Sequence, residues 1–256
     1  MASPADLGWP ADLDQWNGHL RDRGPIYTET LYHLSDYQAD HWRVVEPCNA
    51  ITASIFVFIV IYWLVRLRGE YRRHPFVLAG MVILLVGGVG GTIFHAFRQW
   101  PIFLVMDFVP IALLSLMASI YLWIRLRPGW LPWWFVVLLA VSAMSLLNLF
   151  ISVLQPARQV SIVLHYITLA VLIVTPLALV LIRTRGRHSQ WIKLGVVCFG
   201  FAILCRYLDP VISALPTGTH FLWHLGGAAT TCCLIEYFYR IETEPLSALS
   251  AQPAVA

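Results

Sequence analysis

His220 and His224 stand four residues apart in Gly218-Thr219-His220-Phe221-Leu222-Trp223-His224, at the head of the last apolar stretch of a 256-residue chain. On a helix that spacing puts both imidazoles on one face, one turn apart. His95 closes an earlier apolar stretch and Asp107 lies just inside the next. Three imidazoles and a carboxylate are what a catalytic metal centre needs. Neutral ring nitrogens bind Zn²⁺ at ~2.0–2.1 Å, and three of them leave a fourth ligand position open. The ion polarises a carbonyl and brings a water's pKa to ~7. A neighbouring carboxylate can take that water's proton or orient a ligand. Each residue alone has a plainer reading. Histidines at i, i+4 arise by chance, Asp107 could pair with Arg98 or a helix terminus, and a lone His165 reads as a helix-to-helix hydrogen bonder. The chemistry depends on whether the elements bring these groups together.

Composition says what those elements are. The chain is 59% hydrophobic and 12% charged, about half the charge of an ordinary soluble domain. This is an all-α integral membrane protein, in which an intramembrane ionisable residue is a functional hypothesis by default. A net charge of +3 is too small to suggest nucleic acid, and no such partner is expected. Cys48, Cys198, Cys205, Cys232 and Cys233 have no C-x-x-C spacing, so neither a thiolate metal site nor a disulfide framework is expected. Apolar segments at 47–67, 75–97, 101–126, 131–154, 159–183, 190–213 and 219–239 are each long enough to cross ~30 Å of hydrocarbon, which makes seven spans. Residues 1–45 form a polar N-terminal region, partly interfacial, with Trp9, Trp16, Tyr27, Tyr32 and Trp42. It lacks the basic and apolar pattern of a secretory signal. Residues 46–240 are the seven-helix domain, and 241–256 a disordered tail. Pro47 suits a first helical position, so Glu46 caps the first span with Asn49 on its first turn. Gly87, Gly88, Gly90 and Gly91 read as a close-packing helix surface.

Arginine sets the orientation. The loops after spans 1, 3 and 5 carry Arg66, Arg68, Arg72, Arg73, Arg125, Arg127, Arg183, Arg185, Arg187 and Lys193, and Arg240 ends span 7. The opposite-side loops carry Arg98 and Arg158, and Arg21, Arg23 and Arg43 of the N-terminal region are outweighed by acids and mostly far from the span. The N-terminus is therefore expected outside and the C-terminus in the cytoplasm. With an arginine-rich, almost lysine-free composition, this reads as a bacterial inner-membrane protein. On that topology Glu46, Asn49, His95, Asp107, His220 and His224 all fall at the outer level of the membrane. Glu236 and Arg240 make an interfacial ion pair at the other level, and Arg206 and Asp209 a structural pair at the outer end of span 6.

Four segments carry a family resemblance. They are Glu46-Pro47-Cys48-Asn49-Ala50-Ile51-Thr52, Gly91-Thr92-Ile93-Phe94-His95, Asp107-Phe108-Val109-Pro110-Ile111 and the heptad 218–224. In this order they resemble the alkaline ceramidase family, its bacterial branch in particular, within the CREST superfamily of seven-span membrane hydrolases. The resemblance covers spans 1, 2, 3 and 7. It implies a zinc amidase with His95, His220 and His224 as Zn²⁺ ligands and Asp107 assisting the water. The implied substrate is ceramide or a related N-acyl lipid, drawn from the bilayer and split into a long-chain base and a fatty acid. The family has a serine, a helper of the oxyanion, four residues before the first histidine. Here that position is Gly91, and Thr92 beside it is the candidate for the role. Asp107 is also one residue further along than in the family. Eukaryotic members hold Ca²⁺ near the N-terminus. Tyr27-Thr28-Glu29 matches their motif in part and Glu46 matches a later acid, but Thr28 and Ile26 depart from it. A second metal site on Glu29 and Glu46 is therefore not favoured over a solvated acid and a helix cap.

The competing function is a lipid-binding or receptor-like protein on the same scaffold, with structural zinc and little or no catalysis; Gly91 keeps it open. A retinal protein is disfavoured because Lys193 is the one lysine and lies near the start of span 6. A transporter is disfavoured because no span is broken in paired halves.

Overall fold

A computed structural model of the chain describes residues 20–22, 24–33, 44–154, 173–209, 212 and 215–244. Among the described residues every regular element is a helix: α1 Thr28–His33, α2 Pro47–Arg66, α3 Pro75–Phe97, α4 Pro101–Leu126, α5 Trp133–Leu154, α6 Ile173–Arg183, α7 Ser189–Leu208 and α8 His220–Glu242. Trp9, Trp16, Trp42, His165, Arg158, the first part of the expected fifth span and the tail beyond 244 lie outside the described residues.

The starts follow from the sequence. α2, α3 and α4 each open on a proline, whose missing N–H is no loss at a first helical position and whose φ is already helical. α2, α3, α4 and α7 are long and apolar enough to cross a membrane. α5 and α8, of 22 and 23 residues, stand where further spans are expected. α7 stops at Leu208, short of the expected 213; Asp209 precedes a proline, which disfavours continuing a helix. α8 runs to Glu242, into the expected tail, because Glu242 has work there. Its carboxylate accepts the N–H groups of Phe76 (2.6 Å) and Val77 (3.3 Å) at the open end of α3 and lies 3.4 Å from His74.

The chain divides into two compact units, Met1–Ile111 with Gln190–Glu242 and Ala112–Ser189 with Thr243–Ala256. In the first, α2, α3 and α8 pack together. The glycines of α3 make the close approach the sequence suggests. A methyl on Gly88 would sit 3.0 Å from Val57 of α2, and one on Gly87 would sit 3.1 Å from Pro110 of α4. Small residues are how apolar helices gain packing where lipid is as apolar as the helix itself. In the second unit Arg125 reaches the Tyr121 hydroxyl at 2.9 Å and the Glu244 carbonyl. Leu146, Leu149, Phe150 and Val153 of α5 lie exposed, a surface suited to hydrocarbon rather than water.

The described part of the N-terminal region is partly buried, with Arg21, Pro25 and Tyr32 exposed. Leu20, Asp22, Tyr27, Glu29 and Thr30 are buried. Their polar groups find partners inside the first unit, described next.

Candidate metal centre

His95 is in the last turn of α3, and His220 and His224 are in the first two turns of α8. All three side chains are buried, and one nitrogen from each lies within 4.8 Å of the others. At a ligand bond of ~2.0–2.1 Å a single ion reaches all three once the rings draw in by about 1 Å. Among the described residues this is the one set of three or more His, Cys, Asp or Glu side chains spaced to share an ion.

The free nitrogens support the same reading. His95 Nδ1 lies 2.5 Å from Glu46 Oε2, so the carboxylate holds the ring proton there and Nε2 keeps its lone pair. That Nε2 is buried without a hydrogen-bond partner. His224 Nδ1 faces two acceptors, the Asn49 carbonyl at 3.1 Å and the Thr52 hydroxyl at 3.0 Å. The Thr52 proton is already given to backbone carbonyls of its own helix, so Nδ1 donates and Nε2 is the atom left to bind. His220 Nδ1 is also buried without a partner. Orphaned buried nitrogens are costly, and a bound cation would satisfy them. A second partner that fixes each ring and its tautomer is the usual surrounding of a metal-bound histidine. Three imidazoles without cysteine suit a divalent transition ion.

The second layer is built by the N-terminal segment. Tyr27 stacks on His220 with ring centroids 3.8 Å apart and lies 5.3 Å from His95. Glu29 accepts the N–H groups of Cys48 (2.7 Å) and Asn49 (3.0 Å), so it caps α2 from outside that helix. Glu46 occupies the N-cap position as expected but makes no cap bond with its side chain. It turns instead to His95, to Asn49 Nδ2 at 3.2 Å, to Thr30 and to Arg98. Burial works against its charge, but the Arg98 guanidinium beside it holds the Glu46 carboxyl below its usual range. Burial pushes the Glu29 carboxyl up, opposed by its two N–H donors. Glu29 and Glu46 spend their oxygens on different partners here. Their oxygens are occupied by protein donors, and the cation beside Glu46 is a guanidinium.

Asp209 does not pair with Arg206. Its carboxylate accepts from the backbone N–H groups of Thr28 (3.1 Å), Thr219 (2.8 Å) and His220 (2.9 Å), satisfying the start of α8. Arg206 lies over the Trp223 ring at 5.2 Å. Glu236 does pair with Arg240, at 2.7 Å, and also with Arg66.

Asp107 comes to the site. Its Oδ1 occupies the space a side chain at position 91 would enter, one turn from His95 on the same face of α3. Gly91 is therefore required by a close approach: the carboxylate stands where a serine would start. Thr92 does not take the serine's place. Its hydroxyl donates to the Gly88 carbonyl at 2.6 Å within its own helix, a common use of a threonine in a helix.

Sequence reading found the three histidines and Asp107 but missed Asp22 and Thr30 and the roles of Tyr27, Thr52 and Arg98. One signal was available: Arg98 lies three residues after His95, an arginine next to a histidine at the end of an apolar segment. The chain matches no protein-family model, and no curated protein is similar to it at a significant level.

Proposed function

We propose that the chain is a seven-span, zinc-dependent intramembrane amidase acting on ceramide or a related N-acyl lipid. The observation that carries this reading is the buried triad His95, His220 and His224, in which His95 Nε2 and His220 Nδ1 have no hydrogen-bond partner and acceptors stand behind His95 and His224. The resemblance of four segments to alkaline ceramidases supplies the substrate class. Bound zinc would supply Lewis acidity toward the amide carbonyl and toward water. The chain's own residues do the rest. The Glu46 carboxylate and the Asn49 carbonyl keep the His95 and His224 rings in the tautomer that binds. Asp107, whose carboxylate makes no hydrogen bond among the described residues, is free to take a proton from water and pass it to the leaving amine. The apolar helices around the triad let acyl chains stay out of water. In this reading the N-terminus is outside, the C-terminus is cytoplasmic, and the site faces the periplasmic side of a bacterial inner membrane.

A second reading, a lipid-binding or receptor-like protein with structural zinc, is favoured by Gly91 and Thr92. With the Thr92 proton committed to Gly88, neither position offers a hydroxyl to an oxyanion. The loss of such a donor typically costs ~10²–10³ in rate. Purified protein incubated with a panel of N-acyl lipids, beside His220→Ala, separates the two. Turnover that needs His220 supports the amidase. Stoichiometric zinc with no turnover of any lipid supports the binder.

A further inference from the structure

The largest fully buried side chain in the described residues is a charged one, Arg98. It follows α3 directly as its C-cap, in the left-handed region at φ 53° and ψ 31°. A residue with a Cβ is disfavoured there by roughly 1–2 kcal/mol, and glycine is the usual occupant. The side chain explains the exception. Arg98 Nε and Nη2 grip both oxygens of Asp22 at 2.6 and 3.1 Å, and Nη2 also donates to the Pro25 carbonyl at 2.9 Å. Nη1 donates to Thr30 Oγ1 at 3.2 Å and to Glu46 Oε1. The guanidinium carbon lies 4.6 Å from the Phe94 ring centroid. Asp22, Glu46 and Arg98 have fully buried side chains. The other oxygen of Glu46 holds His95. A second, backbone tie joins the same residues: Glu46 N–H donates to the His95 carbonyl at 3.1 Å, and Val45 N–H to that of Ala96 at 2.8 Å.

We infer that Arg98 is a positioning residue for the triad: an internal cation that fixes the Glu46 carboxylate against His95 and links that geometry to docking of residues 20–30. This rests on the metal reading above, but the contacts alone define the linkage. Without Arg98, Glu46 would face Asp22 and Glu29 with no cation between them, and the carboxylate would reorient. His95 would then lose the acceptor that sets its tautomer.

The test uses the full chain, with Arg98→Gln, Arg98→Lys and Asp22→Asn, and with Arg66→Gln as a partly exposed ion-pair control far from the triad. Two readouts are taken: zinc affinity by chelator competition, and the tautomer of His95 by ¹⁵N NMR of the metal-free protein. Arg98→Gln should weaken zinc by ~10–100-fold, the usual effect of losing an outer-shell partner, and leave His95 as a mixture of tautomers. Arg98→Lys should recover part of the affinity, since it keeps the charge but not the fork. Asp22→Asn should shift both readouts the same way by less, and it decides the matter if Arg98→Gln does not fold. Wild-type affinity and a single tautomer in the folded variants would overturn the inference, as would an equal loss of affinity in Arg66→Gln. If the unaltered chain bound no zinc, the metal reading would fall, while the tautomer comparison would still decide the role of Arg98.

Discussion

The two ends of the packed α2, α3 and α8 helices carry charged clusters built on opposite plans. They stand about 30 Å apart, the length of α2 at 1.5 Å per residue. At one end Glu236 is shared by Arg66 and Arg240, whose side chains are 32% and 40% exposed. Arg66 lies over Trp63 and Tyr239 at 4.5 and 4.7 Å. That cluster can be remade with water when one member is lost. At the other end Asp22, Arg98, Glu46 and His95 have no exposure, yet two histidine nitrogens beside them have no partner. One cluster is closed and solvated; the other is dry and chemically incomplete. The contrast marks the second as a site and the first as an anchor, because desolvated charge is expensive unless every member is matched.

The strongest way to break the contrast is to remove a triad ring. His95→Ala, His220→Ala or His224→Ala should abolish stoichiometric zinc and lower any lipid-amide turnover by about 10³ or more, on the proposed role of the ion; elemental analysis beside product assays checks this. Retained zinc in His95→Ala would sink the site. Glu46→Gln should weaken zinc by ~10–100-fold and destabilise the fold by about 3 kcal/mol, since it strips Arg98 of one buried counter-charge. Denaturant unfolding and metal competition measure both. Gly91→Ser should not raise any activity, despite supplying a hydroxyl one turn from His95. Its Cβ meets the Asp107 carboxylate, so a stability loss of ~1–3 kcal/mol and unchanged or slower turnover are expected; a faster variant would show that Asp107 moves aside. Arg66→Gln, at the solvated end, should cost no more than about 1 kcal/mol and leave zinc affinity untouched.

Much of the helical framework was legible because its signals are local. Pro47, Pro75 and Pro101 announce helix starts, the glycines of α3 announce a close face, and the 220/224 spacing defines one side of a helix. His95 and Asp107 could be placed by counting turns. What stayed hidden depends on residues far apart in sequence. Arg98 finds Asp22 across 76 positions, and Glu29 caps α2 from 20 residues before Asn49. No periodicity encodes such pairs. Glu46 shows the limit well: its place at the cap was readable, but not that its side chain leaves capping to Glu29. The same holds for Asp209, whose neighbour Arg206 offered an obvious ion pair while three backbone N–H groups took the carboxylate instead.

Glu242, the last residue of α8, has a consequence for motion. Its carboxylate fastens the first turn of α3, while Val45 and Glu46 fasten the last through the carbonyls of Ala96 and His95. α3 is thus a beam clamped at both ends by elements remote in sequence. Sliding along its axis would break both clamps at once, whereas turning side chains about it breaks neither. Any motion that opens the space beside His95 should therefore come from neighbouring helices moving away from a stationary α3, with the histidine held in place as the fixed point.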